Sequence, residues 1–103
     1  MTKAEVHAGV CGFVTIIQTE MQTDTCLISI TSDCPAIQKL SAELTQVDPL
    51  QEISSRRKVP QTLQKGLQYC THAACPVPVG IIKAIEVEAG LALPADVSIS
   101  ISK

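Results

Sequence analysis

The sequence predicts an α+β fold: a two-layer sandwich with a sheet of roughly four strands and helices on one face. Three patterns carry that expectation. Segments 3–8, 13–21 and 25–31 alternate or are rich in Ile, Val and Thr, as half-buried strands are. The middle of the chain repeats apolar residues at helical spacing. Val97-Ser98-Ile99-Ser100-Ile101-Ser102 then returns to strict alternation, which predicts a last strand. At 103 residues this is a single domain, 1–103. Phe13 and Tyr69 are the only aromatics, so the core must be aliphatic.

Taken in order, Lys3, Glu5 and His7 fall on one side of the first strand and Ala4, Val6 and Ala8 on the other. His7 therefore reads as a solvated histidine. Gly9-Val10-Cys11-Gly12 breaks this strand with two glycines, the mark of a tight bend. The next two strands meet at Gln22-Thr23-Asp24. The expected register pairs Val14 with Ile30, Ile16 with Ile28 and Gln18 with Cys26, with Thr15, Ser29 and Thr31 on the opposite face. That pairing brings Cys11 close to residues 33–35.

Ser32-Asp33-Cys34-Pro35 starts the first helix, because proline suits the first helical turn and extends the residue before it. Ile37, Leu40, Leu44 and Val47 make its apolar stripe, and Asp48-Pro49 ends it, with a short helix expected through Leu50 and Ile53. Ser54-Ser55-Arg56-Arg57-Lys58 reads as a solvated loop. A further helix runs from Pro60 to about Cys70, with Leu63, Leu67 and Cys70 inward and Gly66 a slight weakness. The last helix spans Val79 to Ala89, with Ile81, Ile82, Ala84 and Ile85 on one face. Glu88 falls within the apolar arc and reads as a last-turn residue reaching water, with a paired buried carboxylate as the alternative. Gly90 stops the helix and Pro94 forbids its continuation.

Charge and composition exclude several functions. A formal charge of -2 and two aromatics do not suit nucleic-acid binding. No apolar run is long enough for a membrane helix, and the N-terminus lacks a secretory signal. A cytoplasmic, reducing location is the resulting expectation. There the five cysteines are not a disulfide framework, and the odd count agrees.

The cysteines carry what chemistry the sequence offers. Cys11 lies in the glycine bend, and Cys34 and Cys75 each precede a proline leading into a helix. Helix N-termini favour thiolates. These three thiols predict a metal site for zinc or an iron–sulfur cluster, since soft thiolates disfavour magnesium and calcium. His72, three residues before Cys75, is the natural fourth ligand and Cys70 the alternative. Cys26 and Cys70 lie on apolar stripes and read as core thiols. No phosphate loop, Rossmann glycine pattern, G-x-S-x-G or H-E-x-x-H is present.

At Cys11-Gly12-Phe13, Ser32-Asp33-Cys34-Pro35, His72-Ala73-Ala74-Cys75-Pro76-Val77-Pro78 and Gly90-Leu91-Ala92-Leu93-Pro94, the chain resembles a small family of uncharacterised prokaryotic proteins found largely in anaerobes. The resemblance brings no established activity. It implies that Cys11, Cys34, Cys75 and His72 belong to a shared pattern, and an anaerobic setting suits oxygen-sensitive thiolates. Three readings stay open at this point. The leading one is a small cytoplasmic metal-binding protein. The second is a thiol redox protein with Cys75 as nucleophile and Cys34 resolving it. The third is a module that binds a protein, a small molecule or a second copy of itself, its cysteines merely packed.

Overall fold

The sheet is an antiparallel meander of β1 (Thr2–His7), β2 (Val14–Gln22), β3 (Thr25–Ser32) and the two-residue β4 (Gln46–Val47), in that spatial order. The computed structural model describes all 103 residues. The helices are α1 (Pro35–Glu43), α2 (Pro49–Glu52), α3 (Gln61–Tyr69) and α4 (Val77–Glu88). α4 lies over β1 and β2, α1 lies over β3, and α3 packs against α1 and α4. The core between the layers is aliphatic, built on Ile17, Ile28, Ile37, Leu40, Leu44, Ile81 and Ile85. No helix is long and apolar enough to cross a membrane. The α+β architecture expected from the sequence is the one observed.

Within it, the β2–β3 register differs from the expected one. Ile17 pairs with Ile30, Thr19 with Ile28 and Met21 with Cys26, a slip of three residues. An odd slip exchanges the two faces. Thr15, Ile17 and Thr19 are thus the buried positions of β2, while Ile16 sits half-buried on the open face. A tight turn fixes this register: Gln22 pairs with Thr25, leaving only Thr23 and Asp24 between the strands, with Thr23 at φ 58. The buried threonines are satisfied. Thr15 Oγ1 donates to Ser32 Oγ at 2.9 Å, and Thr19 Oγ1 donates to the carbonyl of Ala84 at 3.1 Å.

The first helix is shorter than its apolar stripe suggests. It closes at the C-cap Leu44, and Val47 enters the core from β4, opposite Cys26. In α3 the buried positions are Thr62 and Gly66, and Leu67 faces solvent at 78 % exposure, against the expected stripe. Gly66 explains the rotation. A Cβ there would stand 2.8 Å from Pro78 Cγ, so the glycine lets α3 and α4 touch. Gly80 serves α4 and the sheet likewise, since its Cβ would stand 2.5 Å from Val6 Cγ2.

α4 begins two residues earlier than expected, at Val77, and closes in a Schellman motif. Gly90 takes φ 76, its N–H reaches the carbonyl of Val87, and the Leu91 N–H reaches that of Glu86. Beyond it the expected strand over 97–102 does not form. Residues 91–103 belong to no helix or strand and are exposed throughout. The sheet's fourth strand is β4 instead. Alternation makes a segment ready for pairing but does not by itself supply the partner strand.

Candidate functional site

Three of the five cysteines, Cys34, Cys70 and Cys75, pack against the core from the ends of helices: Cys70 where α3 stops, Cys34 and Cys75 where α1 and α4 begin. Cys34 is the N-cap of α1, extended at φ -72 and ψ 120 because Pro35 follows it. Its backbone N–H donates to Ser32 Oγ at 3.2 Å, the same hydroxyl that receives Thr15. Cys70 is the C-cap of α3, its N–H bonded to the carbonyl of Gly66 at 2.9 Å. Cys75 closes the turn before α4, its N–H bonded to the carbonyl of His72 at 3.1 Å. Each thiol thus sits on an anchored backbone. All three are half-buried against the edge of the core, and all are free.

Cys70 has the strongly perturbed thiol of the three. Burial is the largest cause that pushes the Cys70 thiol up, to about 12. The neighbouring Cys75 sulfur follows, and Cys34 adds a smaller effect. A second negative sulfur in this corner is therefore costly unless a cation accompanies it. Cys26 differs. It is fully buried in β3, and burial, then the Glu88 carboxylate, raise its pKa. It is the core thiol the sequence suggests.

Cys11 and His72 remain on exposed loops. Cys11 lies between β1 and β2, where the Ala8 N–H bonds to the Phe13 carbonyl and that of Gly12 to Gly9. This loop is at the same end of the sheet as Cys34, because Thr15 pairs with Ser32. No set of three or more His, Cys, Asp or Glu side chains stands arranged to hold a metal ion. The thiol that Cys75 and, more weakly, Cys34 act on is Cys70, which the sequence ranked as a core thiol or substitute ligand. The cue was available in Cys70-x4-Cys75, a helix end and a helix start joined by one short turn.

Two carboxylates serve the fold. Glu88 is a paired residue rather than one reaching water. Its Oε1 accepts from Thr2 Oγ1 at 2.8 Å and its Oε2 from the Met21 N–H at 3.0 Å. The Met21 N–H, the Thr2 hydroxyl and the nearby α-ammonium together hold Glu88 below the usual carboxylate range, outweighing its burial. Glu52, only 3 % exposed, accepts from the N–H groups of Gln61 and Thr62 at 3.1 and 2.7 Å and from Thr62 Oγ1 at 2.6 Å. It caps α3 from nine residues upstream, since Pro60 at the N-cap offers no side-chain acceptor. A polar hollow of about 440 Å³ beside it is lined by Asp48, Lys58, Gln64 and Lys65.

A family model matches residues 2–101, and its description is a family of unknown function, DUF6951. No curated protein and no solved structure matches the chain.

Proposed function

The chain belongs to DUF6951, a family of unknown function, and we propose that it is a small thiolate metal-binding protein, taking zinc or an iron–sulfur cluster. The observation that supports this reading is that Cys34, Cys70 and Cys75, from three separate segments, all pack against the core and that both of the others act on the Cys70 thiol. A thiol pushed up to about 12 stays protonated and inert at neutral pH. A soft cation held by Cys34, Cys70 and Cys75 would reverse that balance, because coordination deprotonates a thiol outright. Each thiol that bound would release a proton. The fourth donor would be either His72, whose carbonyl holds Cys75, or Cys11, on its glycine-flanked loop. Zinc would fill a closed site; a cluster held by three thiolates would leave one iron open to a substrate.

The same Cys70–Cys75 contact favours a second reading, a thiol redox protein. There Cys75 is the attacking sulfur, because Cys70 is held too basic to attack near neutral pH. Elemental analysis and a visible spectrum of anaerobically purified and reconstituted protein separate the two. One zinc per chain, or brown colour with iron and sulfide, is expected. Protein that takes up neither metal while its thiols react fully refutes the metal reading and leaves the redox one.

A further inference from the structure

The C-terminal arm has the pattern of a strand and no partner. Val97, Ile99 and Ile101 are 61 %, 78 % and 90 % exposed, whereas the intervening positions are all serine. From Leu93 onward the arm contains neither turn nor bend. A straight run of alternating residues has its backbone donors and acceptors ready for a sheet edge.

The sheet has one full-length edge to offer. The β3 side is interrupted: β4 pairs with Cys26 and Leu27, the Ile28 N–H donates to the Thr45 carbonyl and the Gln38 side chain donates to the Ser32 carbonyl, which leaves only Ser29–Thr31 between them. β1 is the opposite edge, and no backbone hydrogen bond reaches its outer side anywhere along Thr2–His7. It carries no proline and no bulge, and its guards are the charged Lys3 and Glu5 on the open face alone. Its six residues match the six of 97–102 in length and in period.

We infer that residues 97–102 of one copy add as a strand to the free edge of β1 in a second copy, giving a reciprocal dimer. In register with β1, Val97, Ile99 and Ile101 continue the helix-covered face beyond Ala4 and Val6. Both of those are only half-buried, and the neighbouring α4 leaves Val79 exposed, so the apolar layer runs uncovered to this edge. Ser98, Ser100 and Ser102 then extend the polar face beside Lys3, Glu5 and His7. The exchange is isologous and closes on itself, so both arms and both edges are satisfied in one twofold dimer. Each chain contributes one arm and one edge strand, about half of the roughly 20–30 residues of a standard interface side, so the dimer is weak.

Sedimentation velocity over a concentration series to about 1 mM tests this on the full chain, beside Ile99→Asp/Ile101→Asp and a chain ending at Asp96. The wild type is expected to pass from monomer to dimer, and both variants to weaken the dimer at least about tenfold. Their melts at low concentration are expected to be unchanged, because the arm packs against nothing in the monomer. In samples mixed from labelled and unlabelled chains, the Ile99 and Ile101 methyls are expected to show intermolecular NOEs to β1 amides. A wild type that stays monomeric throughout overturns the inference. So does a dimer that survives loss of the arm, or NOEs to β1 that are intramolecular only.

Discussion

Replacing Glu52 by alanine removes a buried cap without touching the hydrophobic core. Its carboxylate is the acceptor for two N–H groups of the first turn of α3 and for the Thr62 hydroxyl. Thr62 is fully buried, so both of its donors lose their acceptor out of reach of water, at about 1–3 kcal/mol each. Gln61 is half-buried, and its N–H can be rehydrated at smaller cost. Losing a negative charge at a helix N-terminus adds about 0.3–1 kcal/mol. The expected loss for Glu52→Ala is therefore about 2–7 kcal/mol, a large part of the roughly 5–15 kcal/mol of a typical domain. Glu52→Gln keeps an acceptor oxygen in place but not the charge, and about 1–2 kcal/mol is expected. Urea unfolding followed by circular dichroism measures both, read as a shift in midpoint at constant slope. An alanine variant within about 1 kcal/mol of wild type, or a glutamine variant as damaged as the alanine one, refutes the capping argument.

Other perturbations test other joints of the fold. Gly80→Ala sets a Cβ against Val6 Cγ2 and is expected to cost about 1–3 kcal/mol; Val6→Ala in the same chain should recover part of it, as a double-mutant cycle would show. Glu88 has a folded pKa below its unfolded one, so its contribution to stability is full above the unfolded pKa of about 4.3 and is lost as pH falls through the lower folded value. Melting temperatures of wild type and Glu88→Gln should accordingly converge in acid and separate toward neutral pH. Cys70 is raised in the folded state, so thiolate absorbance near 240 nm should gain its last folded-state step close to pH 12, and that step should be missing from Cys70→Ala.

The architecture was legible because its signals were redundant. β1 alternates cleanly, the Cys34-Pro35 and Gly90 boundaries carry their own backbone chemistry, and Ile37, Leu40, Leu44 and Val47 are all buried as their spacing predicts. The β2–β3 register was not legible from apolar pairing, because the buried face of β2 includes Thr15 and Thr19. Their burial depends on partners supplied by Ser32 and Ala84, which periodicity does not record. The orientation of α3 was hidden for a related reason: Gly66 faces inward because α4 comes close, a requirement set by another helix. In the candidate site, the proline signals drew Cys34 and Cys75 out of the sequence. Cys70 looked like core because its place on an apolar stripe resembles that of any small hydrophobe.

Anaerobic titration with cobalt(II), whose thiolate complexes absorb strongly, tests the thiolate site most directly. One equivalent should develop a thiolate-to-metal charge-transfer band in the wild type and in Cys26→Ala, with release of protons as the thiols bind. The band should collapse in Cys34→Ser, Cys70→Ser and Cys75→Ser. No band in the wild type, or a full band in Cys70→Ser, would contradict a metal site built from these three sulfurs.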